Sequence, residues 1–201
     1  MAASLMPHQL SDDDLKRRTS LKAVATHSER APLHLVIPDG LLKVHSAPYR
    51  GSFSGVLSEA LRAAGLGSKV MVAQFLKGGV HQGPQGVVKL CGGLEWIRPD
   101  IACCVEQQET QNINELKERS SFQAINEIWE LCKNKILQGT LDLLVLDEIG
   151  LAIEFGFLKE NELITTLEKR PISMDVILTG PSIPSSILAI ADQITELRCG
   201  F

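Results

Sequence analysis

Residues 41–78 constrain the fold more than any other part of the sequence, because they combine an apolar strand, a loop of small residues, a helix and a second apolar strand. The helix places its apolar residues at spacings that define one face: Val56, Leu57, Ala60, Leu61 and Ala64. Gly65 and Gly67 then supply left-handed residues that end it. Residues 70–75 are apolar almost throughout, which is typical of a parallel strand buried on both faces. This order predicts the start of an α/β domain, with a phosphate site at its first loop.

The first loop, residues 47–54, is similar to a phosphate-binding P-loop but departs from the pattern G-x-x-x-x-G-K-[ST]. Ala47 stands at the first glycine and Gly51 at the second. Ser52 and Phe53 stand where the pattern needs a Lys to neutralise phosphate charge and a hydroxyl to bind Mg²⁺. Arg50 offers a cation from a nearby position. The loop alone therefore leaves two interpretations open, a nucleotide site and an ordinary strand-to-helix turn.

A second signal for nucleotide chemistry is an apolar run, residues 141–146, that ends in two acids. Asp147 is placed to hold Mg²⁺, usually through water, and Glu148 to orient a nucleophile or substrate. Buried strands also end in Asp-Glu without a function. The pair gains weight because it follows the loop by about one hundred residues and falls at the same edge of the predicted sheet.

Residues 1–32 are predicted to form a polar N-terminal arm. The rest of the chain is predicted to alternate between helices and strands. A Pro-Asp-Gly turn between two short apolar runs, 33–37 and 41–45, indicates a hairpin. Further strands are predicted at 94–98, 141–148, 174–179 and 193–198, and helices at 112–137, 151–155, 160–169 and 184–191. About five or six strands result, and they predict a three-layer α/β sandwich with a mostly parallel sheet over residues 33–201.

Bulk properties exclude several classes of protein. The net charge of −4 gives no electrostatic reason to expect nucleic acid as a partner. The five cysteines are odd in number and lack C-x-x-C spacing, which favours reduced thiols in a cytoplasmic protein. No apolar run is long enough to span a bilayer, so no membrane partner is expected.

Several blocks of the sequence together resemble one family, the ATP:corrinoid adenosyltransferases of the P-loop type, in the family's order and at compatible spacing. These blocks are Ala60-Leu-Arg-Ala-Ala-Gly65, Val72-Ala-Gln-Phe-Leu-Lys-Gly78, Glu109-Thr-Gln-Asn112, Leu143-Leu-Val-Leu-Asp-Glu148, Ile177-Leu-Thr-Gly180 and Ala191-Asp-Gln-Ile-Thr-Glu-Leu-Arg198. The resemblance implies a RecA-like P-loop fold, a homodimer, and use of ATP with Mg²⁺. It also implies a reaction in which the reduced cobalt of a corrinoid takes the 5′-deoxyadenosyl group of ATP.

The same resemblance implies roles for individual residues. Glu148 and Glu109 are the expected catalytic residues, and Asp147 is the expected metal residue. Residues expected to contact the nucleotide or corrinoid are Ala47, Pro48, Tyr49, Arg50, Gly51, Ser52, Phe53, Ser54, Lys77 and Asn112.

The chain also departs from the family at the ligand-facing edge. The P-loop Lys and hydroxyl residue are missing. The family carries an aromatic pair just before the E-T-Q-N block, and this chain has Glu106 and Gln108 at the matching positions. The family also carries an Arg after L-T-G, where this chain has Pro181. Losing a cation that faces phosphates costs charge-assisted contacts. Two hypotheses follow: an adenosyltransferase with an altered loop, and a repurposed family member that binds a ligand or regulates a partner without catalysis.

Overall fold

The computed structural model describes residues 38–51, 53–106 and 115–198, and within these the side chains of Cys91 and residues 115–118 are left undescribed. Its strands are β1 Leu42–Ser46, β2 Val70–Gln74, β3 Val88–Lys89, β4 Leu94–Ile97, β5 Leu143–Asp147, β6 Asp175–Thr179 and β7 Gln193–Glu196. Its helices are α1 Ser54–Gly65, α2 Glu115–Gln138, α3 Ile149–Glu154, α4 Glu160–Glu168 and α5 Ser185–Ile190. Two short 3₁₀ turns, Pro84–Gly86 and Cys91–Gly93, lie on either side of β3.

The described strands form one sheet in the order β3-β4-β2-β5-β6-β1-β7. Every pairing is parallel except that of β3 with β4. The register sets Gln74 beside Asp147, and His45 beside Thr179, at the carboxyl ends of their strands. Since β1 and β5 lie on either side of β6, the loop after β1 and the acids after β5 reach the same edge of the sheet.

Two apolar clusters, one on each face of the sheet, give the molecule three layers. Alternate residues of β5 point to opposite clusters: Leu144 and Leu146 join one, and Leu143 and Val145 join the other. Helix α1 covers the second cluster, while helices α2 to α5 contribute to the first. Because β2, β5 and β6 lie inside the sheet and are covered on both faces, their sequences are continuous apolar runs. The predicted α/β sandwich with a mostly parallel sheet is confirmed.

Most of the predicted helices and strands are confirmed within a few residues, but the hairpin is wrong. Strand β1 pairs with β6 on one side and β7 on the other, so it has no edge left for a partner from residues 33–37. Gly40 instead packs against the backbone of Met174. The turn signal therefore marks the entry to a central strand. Residues 33–37 and the predicted arm, 1–32, lie outside the described residues, and the arm remains a prediction.

Three smaller expectations also differ from the structure. Leu61 on α1 is 41% exposed. This helix therefore buries a narrower stripe than the sequence pattern suggested. Gly65 is the last residue of α1, and its backbone is not left-handed. Gly67 has φ 99° and makes the turn out of the helix. Strand β3 was not predicted, because two exposed residues carry no strand signal.

Within the described residues, no helix has both the length and the apolar character needed to cross a bilayer.

A pair of Gly→Ala substitutions tests the packing of α3 against the segment that follows β6. A Cβ at Gly150 would lie 2.4 Å from the carbonyl oxygen of Pro181 and 3.0 Å from the amide nitrogen of Ile183, and neither atom can move without shifting backbone. Gly150→Ala is expected to lower the free energy of unfolding by about 1–3 kcal/mol. Gly65→Ala meets no described atom within 4 Å and is expected to be neutral or slightly stabilising. Urea denaturation measures the free energy of unfolding of both variants. Equal changes in the two variants would contradict this packing.

Candidate functional site

The loop between β1 and α1 is anchored by two buried residues. Ala47 is 4% exposed and Phe53 is 5% exposed, and both belong to the apolar cluster beneath α1. The position where a P-loop carries its hydroxyl residue thus contributes to the core. Phe53 is also the N-cap of α1 and provides no side-chain hydrogen bond there, and no acid lies in the first turn. The amide groups that begin a twelve-residue helix therefore face the loop, an arrangement that favours an anion.

Arg50, from the middle of this loop, forms a two-pronged ion pair with Glu148. Its Nε donates to Glu148 Oε1 and its Nη2 to Glu148 Oε2, each at 2.9 Å. The guanidinium also donates to the carbonyl oxygens of Val105 and Leu76. The hydrogen bonds with Glu148 raise the pKa of Arg50. Glu148 is 2% exposed, and Arg50 gives this buried carboxyl group a cationic hydrogen-bond partner.

Asp147 lies beside this pair and accepts hydrogen bonds on both of its carboxylate oxygens. Oδ2 accepts from Gln74 Nε2 at 2.7 Å and from Lys77 Nζ at 2.8 Å. Oδ1 accepts from Thr179 Oγ1 at 2.6 Å. These donors come from β2, the loop after β2, and the end of β6. The parallel register therefore assembles a charge-balanced cluster of two acids and two cations at one edge of the sheet.

Glu148 has a left-handed backbone, with φ 60° and ψ 30°, which is uncommon outside glycine and is concentrated at functional sites. Its amide donates to Thr179 Oγ1 at 3.1 Å, so the same hydroxyl orients both acids. Gly180 follows with φ 129°, and a Cβ there would lie 3.2 Å from Glu148 Cα. The Thr179-Gly180 pair thus fixes the direction of the Glu148 side chain.

A polar relay behind Asp147 was missed by the sequence analysis. Gln74 Oε1 accepts from Trp96 Nε1 at 2.9 Å and from Arg98 Nε at 2.8 Å, which turns its amide toward Asp147. The available signal was a glutamine at the end of an otherwise apolar buried strand. Thr179 had a comparable signal, a polar residue at the end of an apolar strand.

The structure brings four of the sequence-predicted site residues together: Arg50, Lys77, Asp147 and Glu148. Tyr49 is half exposed, and its ring lies beside Gly51. Pro48, in the loop between β1 and α1, and Ser54, the first residue of α1, are exposed. Ala47 and Phe53 are packing residues. Ser52, Gln108, Glu109 and Asn112 lie outside the described residues, so their roles remain predictions.

A cavity of about 500 Å³ opens at the ends of β1, β6 and β7. Its lining includes Ser46, Pro181 and Arg198. Pro181 holds the position at which the family resemblance led us to expect an arginine, so that cation is replaced by an apolar wall. Ala47 and Pro48, at the start of the loop, also line this cavity.

Asp147 fits a Mg²⁺ ion only indirectly. Among the described residues, no group of three or more acids, cysteines or histidines is arranged to hold a metal. Three of the lone-pair positions of Asp147 are used, and the Lys77 ammonium lies directly on Oδ2. A contact through water remains open, in keeping with the preference of Mg²⁺ for retaining waters.

Fold and site together define a three-layer α/β protein with a mostly parallel sheet and a buried Asp-Glu pair at one edge of that sheet. A sequence model of the family described as ATP:corrinoid adenosyltransferase BtuR/CobO/CobP matches residues 38–200, and the chain belongs to this family. The predicted family is thereby confirmed.

Two relatives that carry the name Corrinoid adenosyltransferase are similar over most of their length. The Corrinoid adenosyltransferase of Escherichia coli strain K12 is 29% identical over 159 residues, covering 79% of this chain and 76% of the relative. The Corrinoid adenosyltransferase CobA of Salmonella typhimurium is 27% identical over 191 residues, covering 95% and 88%. An uncharacterized protein of Nostoc, all2391, is 26% identical over 177 residues, and the match covers only 44% of its length.

Removing Arg50 tests the stabilising role of the ion pair with Glu148. Arg50→Ala leaves a buried carboxylate without its cation, and we expect a loss of roughly 2–4 kcal/mol in the free energy of unfolding. The control is Lys43→Ala, which breaks the 2.8 Å pair with the more exposed Glu59 and is expected to cost under about 1 kcal/mol. Chemical denaturation measures both. Similar losses in the two variants would show that the Arg50 pair has no special weight.

Proposed function

We propose that this protein transfers the 5′-deoxyadenosyl group of ATP to the reduced cobalt of a corrinoid, with Arg50 as the cation that receives the triphosphate. The observation that supports this proposal is the position of the Arg50 guanidinium, at the carboxyl ends of the central strands and in contact with Glu148. Family membership supplies the reaction class. In that reaction a cobalt–carbon bond forms, the bond from the 5′ carbon to oxygen breaks, and triphosphate leaves.

Arg50 can act on phosphate only by exchanging partners. A guanidinium has five N–H donors, and four donor contacts are already made to Glu148, Val105 and Leu76. A triphosphate at the start of α1 would offer several anionic oxygens in place of one carboxylate. Glu148 would then lose its cation and face the nucleotide, the role expected for it from the family resemblance.

The other residues would hold and orient the substrates. Lys77 would contribute a second positive charge, and the amides that begin α1 would bind phosphate oxygens. Asp147 would hold Mg²⁺ through water, and the ion would add positive charge beside the triphosphate. Glu109 and Asn112 belong to the block that the family resemblance places between nucleotide and corrinoid. Because reduced cobalt is itself a strong nucleophile, the protein's contribution is mainly positioning and charge stabilisation.

We further propose that the protein acts in the cytoplasm as a homodimer, as the family resemblance implies. Size-exclusion chromatography with light scattering tests the oligomeric state.

The assay for activity uses ATP, Mg²⁺ and chemically reduced cobalamin, with cobalt–carbon bond formation followed by absorbance. Wild-type protein is expected to form adenosylcobalamin. Arg50→Gln should lower kcat/KM at least about tenfold, since a charge-assisted contact with phosphate is lost, and Arg50→Lys should restore part of it. Arg62→Gln, on the exposed far end of α1, removes the same charge and should leave kcat/KM unchanged. Absence of product above background under strong reduction would refute the proposal.

A second candidate function is ligand binding or regulation without catalysis. One observation favours it specifically: both acids are already neutralised by cations of the protein itself, Glu148 by Arg50 and Asp147 by Lys77. A site balanced in this way has little net attraction for a magnesium–nucleotide complex. Calorimetric titration that detects ATP binding without turnover, or binding of another anion alone, would favour this function over the transferase.

Restoring the P-loop residues separates the two candidates further. Ser52→Lys returns the missing cation and should tighten ATP binding at least about tenfold by adding a charge-assisted contact. Phe53→Thr, added to it, returns the hydroxyl at a cost of roughly 2–4 kcal/mol in stability, because Phe53 is a core residue. The matched control, Ser58→Lys, adds the same charge at an exposed position of α1. If neither Ser52→Lys nor the double variant changes ATP affinity, the loop does not hold phosphate.

A further inference from the structure

The carboxylate oxygens of Asp147 are ligands of the kind that Mg²⁺ and Mn²⁺ prefer, but donors of the protein already occupy them. Oδ1 accepts from Thr179 Oγ1 at 2.6 Å. Oδ2 accepts from Gln74 Nε2 at 2.7 Å and from Lys77 Nζ at 2.8 Å. The Asp147 side chain is only 4% exposed, so a cation that arrives from solvent meets these donors before it meets the carboxylate.

The three donors differ in their access to solvent. Gln74 and Thr179 are buried. The side chain of Lys77 is 26% exposed, and Lys77 lies in the segment that directly follows β2. The Lys77 ammonium is therefore the donor that covers the solvent-facing side of the Asp147 carboxylate.

The two buried donors are also held in place by partners of their own. The two lone pairs of Gln74 Oε1 accept from Trp96 Nε1 and Arg98 Nε. The Gln74 amide therefore presents its NH₂ group to Asp147, and its oxygen is not free to bind a metal. Thr179 Oγ1, besides donating to Asp147, accepts from a backbone amide at 3.1 Å.

Lys77 has no such second anchor. Among the residues that the structure describes, its ammonium forms a hydrogen bond only with Asp147. Glu148 offers no easier oxygen, because both of its carboxylate oxygens accept from Arg50, which is itself bonded to two backbone carbonyl oxygens. Direct binding of a metal at this edge of the sheet therefore requires displacement of Lys77 from Asp147 Oδ2.

We propose that Lys77 is a metal-excluding residue, whose ammonium prevents a divalent cation from binding Asp147 Oδ2 directly. Two cations that contact one carboxylate oxygen lie close together and repel each other. The free protein accordingly has low affinity for divalent cations, and Mg²⁺ enters with the polyanion and contacts Asp147 through water. That entry rests on the proposed function, whereas the exclusion is a property of the free protein.

The test measures the binding of Mn²⁺ alone to the full chain, by electron paramagnetic resonance of the unbound ion. Lys77→Met removes the ammonium at similar side-chain length and should lower the Kd for Mn²⁺ at least about tenfold. Lys77→Arg keeps a cation and should bind Mn²⁺ as weakly as wild type. Asp147→Asn, added to Lys77→Met, should abolish the gain. Lys69→Met is the matched control: it removes the same charge from an exposed position just before β2 and should leave the Kd unchanged.

A second measurement covers the loss of stability that Lys77→Met is expected to cause by leaving a buried carboxylate without its cation. Mn²⁺ should raise the urea midpoint of Lys77→Met and leave that of wild type unchanged, since only the variant binds the ion in its folded state. Lys77→Gln keeps a neutral donor near Asp147 and should show the same gain in Mn²⁺ affinity in a more stable protein.

Four results would each overturn the proposal. They are tight Mn²⁺ binding by wild type, equal affinities in wild type, Lys77→Met and Lys77→Gln, a gain that survives Asp147→Asn, and the same gain in Lys69→Met. Neither ATP nor a corrinoid is present in these measurements. Failure of the transferase assay and failure of metal exclusion are therefore distinguishable.

Discussion

The buried carboxylate of Glu148 is the constraint on which the site depends. An ionised acid that is almost fully buried must be matched by a donor of opposite charge, and Arg50 meets this requirement with both prongs of its guanidinium. The same guanidinium reaches the backbone after β2 and at Val105. One side chain therefore joins the loop, two further chain segments and the acid.

The parallel sheet explains why these groups meet at all. Strands β1, β2, β5 and β6 end at the same edge, so residues that follow them in the sequence become neighbours in space. Thr179 then links the two acids by donating to Asp147 and accepting from the Glu148 amide. Such an edge concentrates charge, and in this chain the two acids are balanced by two cations. A ligand that binds here must compete with those internal pairs, and only a polyanion offers Arg50 more than Glu148 does.

The sequence predicted the fold better than the site for physical reasons. Apolar runs and helical periodicity are local patterns that indicate which residues are buried. The positions of the helices and strands can therefore be predicted from them. The hairpin failed because pairing is a non-local property: nothing in residues 41–45 says that β6 and β7 will occupy both sides of β1. Arg50 was recognised as a candidate cation, but its partner lies 98 residues away. The order and register of the strands bring these two residues together. They also bring Gln74 to Asp147.

Phe53 gives the loop after β1 an attachment to the core that a hydroxyl residue at this position could not provide. In a working P-loop, the loop is stabilised partly by the phosphate it surrounds, since its amides need an anion. Here the loop is held by its own side chains, with Ala47 and Phe53 in the apolar cluster below and Arg50 paired above. Burying an aromatic side chain contributes on the order of 2–3 kcal/mol. The packing of Ala47 and Phe53 thus attaches the described parts of the loop to the core through protein contacts alone.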